Sequence, residues 1–105
     1  MDKGLLRVIG EHSGRGEGAA LVTVVATHGS TPRKEGAAMA VSRSGSIWGS
    51  IGGGCGEEEA RRRALIALDE RRSCLHSIRL DNSVAADEGM ACGGVMEIFI
   101  RVFHP

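Results

Sequence analysis

Apolar and polar positions divide the chain into seven periodic segments separated by glycine-rich turns. Residues 2–12 place Leu5, Leu6, Val8 and Ile9 on one helical stripe, with Asp2 as its N-cap. Residues 19–27, AALVTVVAT, form a nearly unbroken β-branched run, the pattern of a central strand buried on both faces. A second strand is predicted over 37–42. Arg43-Ser44-Gly45 then turns the chain tightly, and 46–51 returns as a third strand in a hairpin. From Glu57 to about Arg72 the period becomes helical, with Ala60, Ala64, Ala67 and Leu68 on a narrow face and Leu65 beside it. Residues 74–80 alternate with period two. Residues 95–102 form the last strand, with Val95, Ile98, Ile100 and Val102 directed to the core. The order α-β-β-β-α-β-β implies an α/β domain, α+β being the near alternative. Its core is a mixed sheet of about five strands with two main helices packed against it.

The second helix is patterned by charge as well. Glu57, Glu58 and Glu59 precede Arg61, Arg62 and Arg63 by four residues each, the favourable order for ion pairs on a helix. Acids at its start and Arg71 and Arg72 at its end complement the helix dipole. The run reads as a solvated face.

Composition narrows the function. At 105 residues, with 42% hydrophobic and 25% charged positions, the chain reads as a single soluble domain over 1–105. Thirteen basic residues balance thirteen acidic ones, so no net field favours nucleic acid. The aromatics are Trp48, Phe99 and Phe103, too few for a base-stacking platform. No apolar run approaches the roughly 20 residues of a membrane helix, and the first residues lack the apolar stretch of a signal peptide. A cytoplasmic protein without membrane contact is expected. Cys55, Cys74 and Cys92 are odd in number and show no CxxC spacing, so they read as thiols and not as a disulfide framework or a zinc finger. The 16 glycines, about twice the usual ~7% share, cluster between the periodic segments.

Three of those clusters carry candidate chemistry. In Gly49-Ser50-Ile51-Gly52-Gly53-Gly54-Cys55-Gly56-Glu57 a strand passes into a helix. Glycine lets the backbone approach a ligand, and a helix start offers unpaired N–H groups and a positive dipole end. A thiol there is favoured as thiolate, a soft donor suited to a metal centre or a sulfur-transfer step. A tight turn holding a buried cysteine is the plain alternative. The segment lacks the Lys-Ser/Thr of a phosphate-binding P-loop, and Glu57 breaks a dinucleotide fingerprint. Gly14-x-Gly16-x-x-Ala19 fits the looser fingerprint but follows a helix and precedes a strand, the reverse of the required context. Met90-Ala91-Cys92-Gly93-Gly94 is a second Gly-Cys turn, either converging with the first or unrelated to it. In Gly29-Ser30-Thr31-Pro32-Arg33-Lys34 a rigidifying proline accompanies donors for phosphate or pterin oxygens, or else the stretch is a solvated loop. His28 ends a strand beside this motif and is placed to line a site. His76 reads as structural or exposed, and His12 and His104 as peripheral. No acid–base pair is evident, so turnover by this chain is not expected.

Taken together, TVVATHGSTPRKEGAAMAV, GSIWGSIGGGCGEEEARRRAL and GMACGGVMEIFI resemble, in order, the N-terminal domain of the xanthine dehydrogenase accessory family, XdhC/CoxI. The resemblance implies a maturation factor, or chaperone, that binds the molybdenum cofactor (molybdopterin). Such a factor assists the cofactor's sulfuration and its insertion into a molybdenum hydroxylase such as xanthine dehydrogenase. Matched to the family motifs, Gly53, Gly54, Cys55 and Gly56 would bind cofactor with Cys92, Gly93, Ser30 and Arg33, and Cys55 would face the metal. Nicotinamide and flavin are not implied. A cysteine desulfurase and a second copy of the chain are further candidate partners. The family's C-terminal Rossmann-like domain is absent from residues 1–105, and Gly56 stands where the family commonly has an apolar residue, which predicts a looser turn. Two other readings use the same residues: a sulfur-transfer or redox protein working through Cys55 or Cys92, and an interaction module that binds a molybdenum enzyme without cofactor.

Overall fold

A strand buried on both faces needs partners on both edges and a cover on each side, and residues 19–28 obtain all four. The computed structural model describes residues 3–29, 35–52, 54–79 and 94–104. Its elements are α1 (Lys3–Gly14), β1 (Ala19–His28), β2 (Ala38–Ser42), β3 (Ile47–Gly49), α2 (Gly54–Glu70), β4 (Cys74–Arg79) and β5 (Val95–Phe103). The strands form one sheet in the order β3-β2-β1-β5-β4, with β1 at its centre. The α/β class, the five strands and the two helices agree with the sequence pattern.

The pairing corrects one expectation: the sheet is antiparallel at every junction and not mixed. The reason is where α2 travels. It leaves β3 at one edge of the sheet and delivers the chain to β4 at the other. Four strand spacings of about 4.8 Å need roughly 19 Å, and a 17-residue helix rising about 1.5 Å per residue supplies roughly 25 Å. The one crossover thus links strands that are not neighbours, and β5 then enters between β1 and β4.

Each face of β1 packs under one helix. Ala20, Val22 and Val24 join Met39, Val41, Ile98 and Ile100 beneath Ala60, Ala64, Ala67 and Leu68 of α2. The three alanines bring the helix axis close to the sheet, as their spacing predicts. Ala19, Leu21 and Ala40 meet Leu5 and Ile9 of α1, with Trp48 and Phe103 at the margin. The α1 stripe is narrower than expected: Leu6 is 47% exposed. On β5 the inward set is Met96, Ile98 and Ile100, with Val102 half-buried. Val95 lies one residue out of phase with them, and period two turns it to the opposite face. A register shift between Val24 and Ala26 leaves Val25 exposed.

Both helices end in the same way. The Glu17 N–H donates to His12 O and the Gly16 N–H to Ser13 O, while the Arg72 N–H donates to Ala67 O and the Arg71 N–H to Leu68 O. These are paired Schellman caps. The residue in the left-handed position is Gly16 (φ 80) in the first and Arg71 (φ 57) in the second. Arg71 and Arg72 therefore lie past the end of α2 and not in its last turn. The α2 charge pairing also differs from the i,i+4 pattern. Glu58 bonds Arg61 at 2.8 Å, while Glu57 and Glu59 turn to other partners, described below. The Arg61 hydrogen bond holds the Glu58 carboxyl below its ordinary value.

Two substitutions test these backbone constraints. Gly49 has φ 85, and a Cβ there would meet the Ala38 carbonyl oxygen at 2.8 Å. Gly49→Ala is expected to cost on the order of 2 kcal/mol, a fall of roughly 10 °C in melting temperature. Arg71→Gly relieves a left-handed arginine and is expected to gain about 0.5–1 kcal/mol in a urea titration. An unchanged midpoint would show that the cap is not strained.

Candidate functional site

An antiparallel sheet sorts its connections between two poles. At one pole the links are short and closed: 15–18 between α1 and β1, 43–46 between β2 and β3, and 71–73 between α2 and β4. Ser42 secures the hairpin there, accepting from the Ser46 N–H at 3.2 Å and bonding the Ser44 hydroxyl at 2.8 Å. The opposite pole holds 29–37 between β1 and β2, 50–53 between β3 and α2, and 80–94 between β4 and β5, the first and last of them the longest links of the chain. Each holds all or part of one of the three motif segments, the Gly49–Glu57 motif running on into α2, so the sheet topology carries their described flanks to a common pole. Ser30, Arg33, Gly53, Cys92 and Gly93 lie outside the described residues.

The start of α2 differs from its predicted position. The pattern sets the first helical residue at Glu57, whereas α2 begins at Gly54. The backbones of Gly54, Cys55 and Gly56 are thus part of the first turn. Cys55 is placed among the N–H groups of the helix start and not in a turn preceding it. Gly56 is buried and helical, so the looser turn expected from it is not found. A thiol at the start of a helix is stabilised as thiolate by the dipole and the unpaired N–H groups.

The turn leading into α2 is closed by hydrogen bonds that the sequence reading missed. Glu57 accepts from the Ser50 hydroxyl and, at 3.3 Å, from the Ile51 N–H. Ser50 Oγ in turn accepts from the Gly52 N–H at 3.2 Å. Ile51 is fully buried beneath them in the core. Glu57 is the N-terminal acid of a charge run and invites pairing with Arg61. Its spacing from Ser50 signals nothing locally, because the contact depends on the intervening backbone.

His28 stands at the same pole, its Nε2 2.8 Å from Glu97 Oε2. The pair joins the end of β1 to β5 on the face away from α2. His76 is structural: its Nε2 lies 2.7 Å from Glu59 Oε2, and Arg63 Nε donates to its Nδ1 at 3.3 Å. The cluster ties α2 to edge strand β4 along the flank of the domain. His12 packs on Trp48, ring centroids 5.2 Å apart, and the half-buried His104 lies against Gly18. The thiol of Cys74 is exposed at the sheet edge. Among the described residues, no group of three or more His, Cys, Asp and Glu side chains is arranged to hold a metal ion, and no helix is long and apolar enough to cross a membrane.

Comparison with known proteins points the same way. The model of the XdhC and CoxI family matches residues 12–79. A protein of Escherichia coli (strain K12) named Uncharacterized protein YqeB is 42% identical over 83 residues, which span 79% of this chain and 15% of the relative. A probable xanthine dehydrogenase subunit, from Bacillus subtilis (strain 168), is 32% identical over 84 residues, 78% of this chain and 26% of the relative. The crystal structure of a xanthine dehydrogenase from Bacillus halodurans shares the fold, with a TM-score of 0.72 and 22% identity over 92% of this chain and 30% of that one. The chain therefore spans less than a third of the length of each of these relatives.

The His28–Glu97 pair offers a clean probe of this pole. Its side chains are 64% and 43% exposed, so His28→Ala is expected to change stability by less than about 1 kcal/mol. A larger loss in a denaturant titration would make the pair a structural clamp instead.

Proposed function

The chain belongs to the XdhC and CoxI family, and on that premise we propose that it is a cofactor-binding maturation module for a xanthine dehydrogenase-type molybdenum enzyme. The observation that supports the reading is that the described flanks of the three glycine-rich links lie at the pole where α2 begins. The molybdenum cofactor is cargo here. It combines a soft metal, a dithiolene and a phosphate, and the residues proposed from the family motifs would form a matching donor set. A thiolate at Cys55 suits the metal, backbone N–H groups of the first turn suit anionic oxygens, and Ser30 and Arg33 on the neighbouring link suit phosphate or pterin oxygens. Cys92 and Gly93 on the third link complete the set proposed from the family motifs.

Carriage requires binding and release and not bond-breaking, which agrees with the lack of an evident acid–base pair in the sequence. A client molybdenum hydroxylase would take the cofactor from this pole. Sulfuration of the cofactor would call for a sulfur donor such as a cysteine desulfurase. Completion of the sheet edge by a second copy is a further element of the proposal.

The test is retention of cofactor by the purified chain. Mixed anaerobically with molybdenum cofactor and passed through a desalting column, wild type is expected to keep close to one molybdenum and one pterin per chain. Cys55→Ala should lose at least tenfold in retention, and Cys92→Ala should lose less. Full retention by Cys55→Ala would remove the thiolate from the proposal. Failure of folded wild type to retain cofactor, together with a readily formed Cys55 persulfide, would favour sulfur transfer instead.

A further inference from the structure

Separate stretches of the chain meet around a small pocket at the closed pole, and we propose that this pocket is a binding site for inorganic phosphate. It has a volume of ≈ 290 Å³ and is walled by Gly16 and Gly18 of the α1–β1 link, Arg43 of the β2–β3 turn, Asp69 of α2, Arg71 just past that helix, and His104 after β5. Leu68, fully buried, forms its apolar floor. The volume stands at the small end of ligand pockets, roughly 300–1,000 Å³, and matches a single small oxyanion better than a nucleotide. The pocket lies at the pole opposite the motif segments and does not depend on the cofactor reading.

Arg71 carries the inference. Each of the two Schellman caps needs a residue in the left-handed conformation. The α1 cap fills that position with Gly16 (φ 80), and the α2 cap fills it with Arg71 (φ 57). Glycine would hold the same backbone without strain, so the cap by itself gives no reason for an arginine. Strained backbone of this kind clusters at functional sites, and the side chain held here is one that lines the pocket. Among the described residues, the Arg71 guanidinium has no side-chain partner to offset the strain.

The lining selects an anion. Arg43 and Arg71 face the single carboxylate of Asp69. Arg43 Nη2 donates to Asp69 Oδ1 at 2.8 Å, which orients the guanidinium and leaves its other N–H groups for a second acceptor. Asp69 thus offsets one positive charge, and the other stays unbalanced. Guanidinium groups present paired donors in a planar fork that matches phosphate oxygens. A carboxylate fills one such fork, whereas phosphate has oxygens for both. His104 closes the pocket from the end of β5. Its Nε2 is buried without a hydrogen-bond partner among the described residues, and buried polar atoms of native proteins are completed by protein groups, water or an ion. The ring occupies the notch left by Gly18, where a Cβ would stand 3.3 Å from His104 Nδ1 and 3.2 Å from Leu68 Cδ2.

The experiment is isothermal titration calorimetry of the full chain with inorganic phosphate, with ionic strength held constant by sodium chloride and acetate titrated in parallel. Wild type is expected to bind one phosphate with a Kd on the order of 1 mM. Acetate should bind at least about tenfold more weakly, because it fills a single fork. Arg71→Gly keeps the cap, and a urea titration verifies that it is folded. Its phosphate affinity is expected to fall at least about tenfold through loss of a charge-assisted contact. Arg72→Ala removes a neighbouring charge that does not line the pocket and should leave the Kd within about twofold. A purely structural role for Arg71 would move stability and leave affinity unchanged. Failure of folded wild type to take up phosphate overturns the proposal, and so does full affinity in Arg71→Gly. Acetate binding as tight as phosphate binding, or an equal loss in Arg72→Ala, also overturns it, the latter by revealing diffuse attraction to the basic end of α2.

Discussion

Burial of β1 on both faces is the constraint from which the other placements follow. Ala20, Val22 and Val24 face one helix while Ala19 and Leu21 face the other. Each fully buried Val or Leu side chain contributes about 1.5–3 kcal/mol, and a strand of this kind cannot sit at an edge. It must have β2 on one side and β5 on the other. That requirement forces the chain, after completing the β1–β2–β3 meander, to cross the sheet along α2 and return from the far edge. The crossover in turn fixes where α2 starts: beside the end of β3, at the pole where β1 ends and β5 begins. The position of Cys55 is therefore a remote consequence of the composition of residues 19–24.

Much of this was legible because the relevant signals are periodic and local. The β-branched run identified the central strand, and the alanine spacing at 60, 64 and 67 identified the buried side of α2. The antiparallel pairing was not legible. Strand order depends on which edges are free once three strands are formed, and no local pattern encodes that. The first turn of α2 was misread for a different reason. Gly54 and Gly56 have poor intrinsic helix propensity, so the pattern set the helix start at Glu57. Packing of Ile51 and Gly56 into the interior and the Glu57 hydrogen bonds to Ser50 and Ile51 outweigh that preference. Propensity yields to tertiary context at the position that matters most for the site.

For the candidate site, the sequence supplies residue types, and the structure supplies the placement of the segments that flank them. Sequence motifs named candidate residues in three segments, two of them holding a cysteine, and the antiparallel topology explains why segments so far apart in the chain have flanks at one pole. What the motifs did not reveal was the support. Ser50 looked like a spacer between glycines, and Glu57 looked like the first of three surface acids. Each acquires its role only through the backbone path from Gly49 to Gly54, which depends on the absence of a Cβ at Gly49 where Leu5 and Ala38 approach. The hydrogen bonds of Ser50 and Glu57 are contacts that sequence spacing does not expose.

The two poles also divide the energetic work. The closed pole carries both Schellman caps and the serine-bonded hairpin. Local hydrogen bonds there satisfy the backbone and cost little chain entropy, because short loops close easily. The opposite pole carries the two longest links, 29–37 and 80–94, and a longer loop costs more entropy to close. A small domain with one modest core has little stability to spare, so it concentrates its closure at one end. Among the described residues, the glycine-rich end is tied by buried Ile51, by the Glu57 hydrogen bonds to Ser50 and Ile51, and by the His28–Glu97 pair.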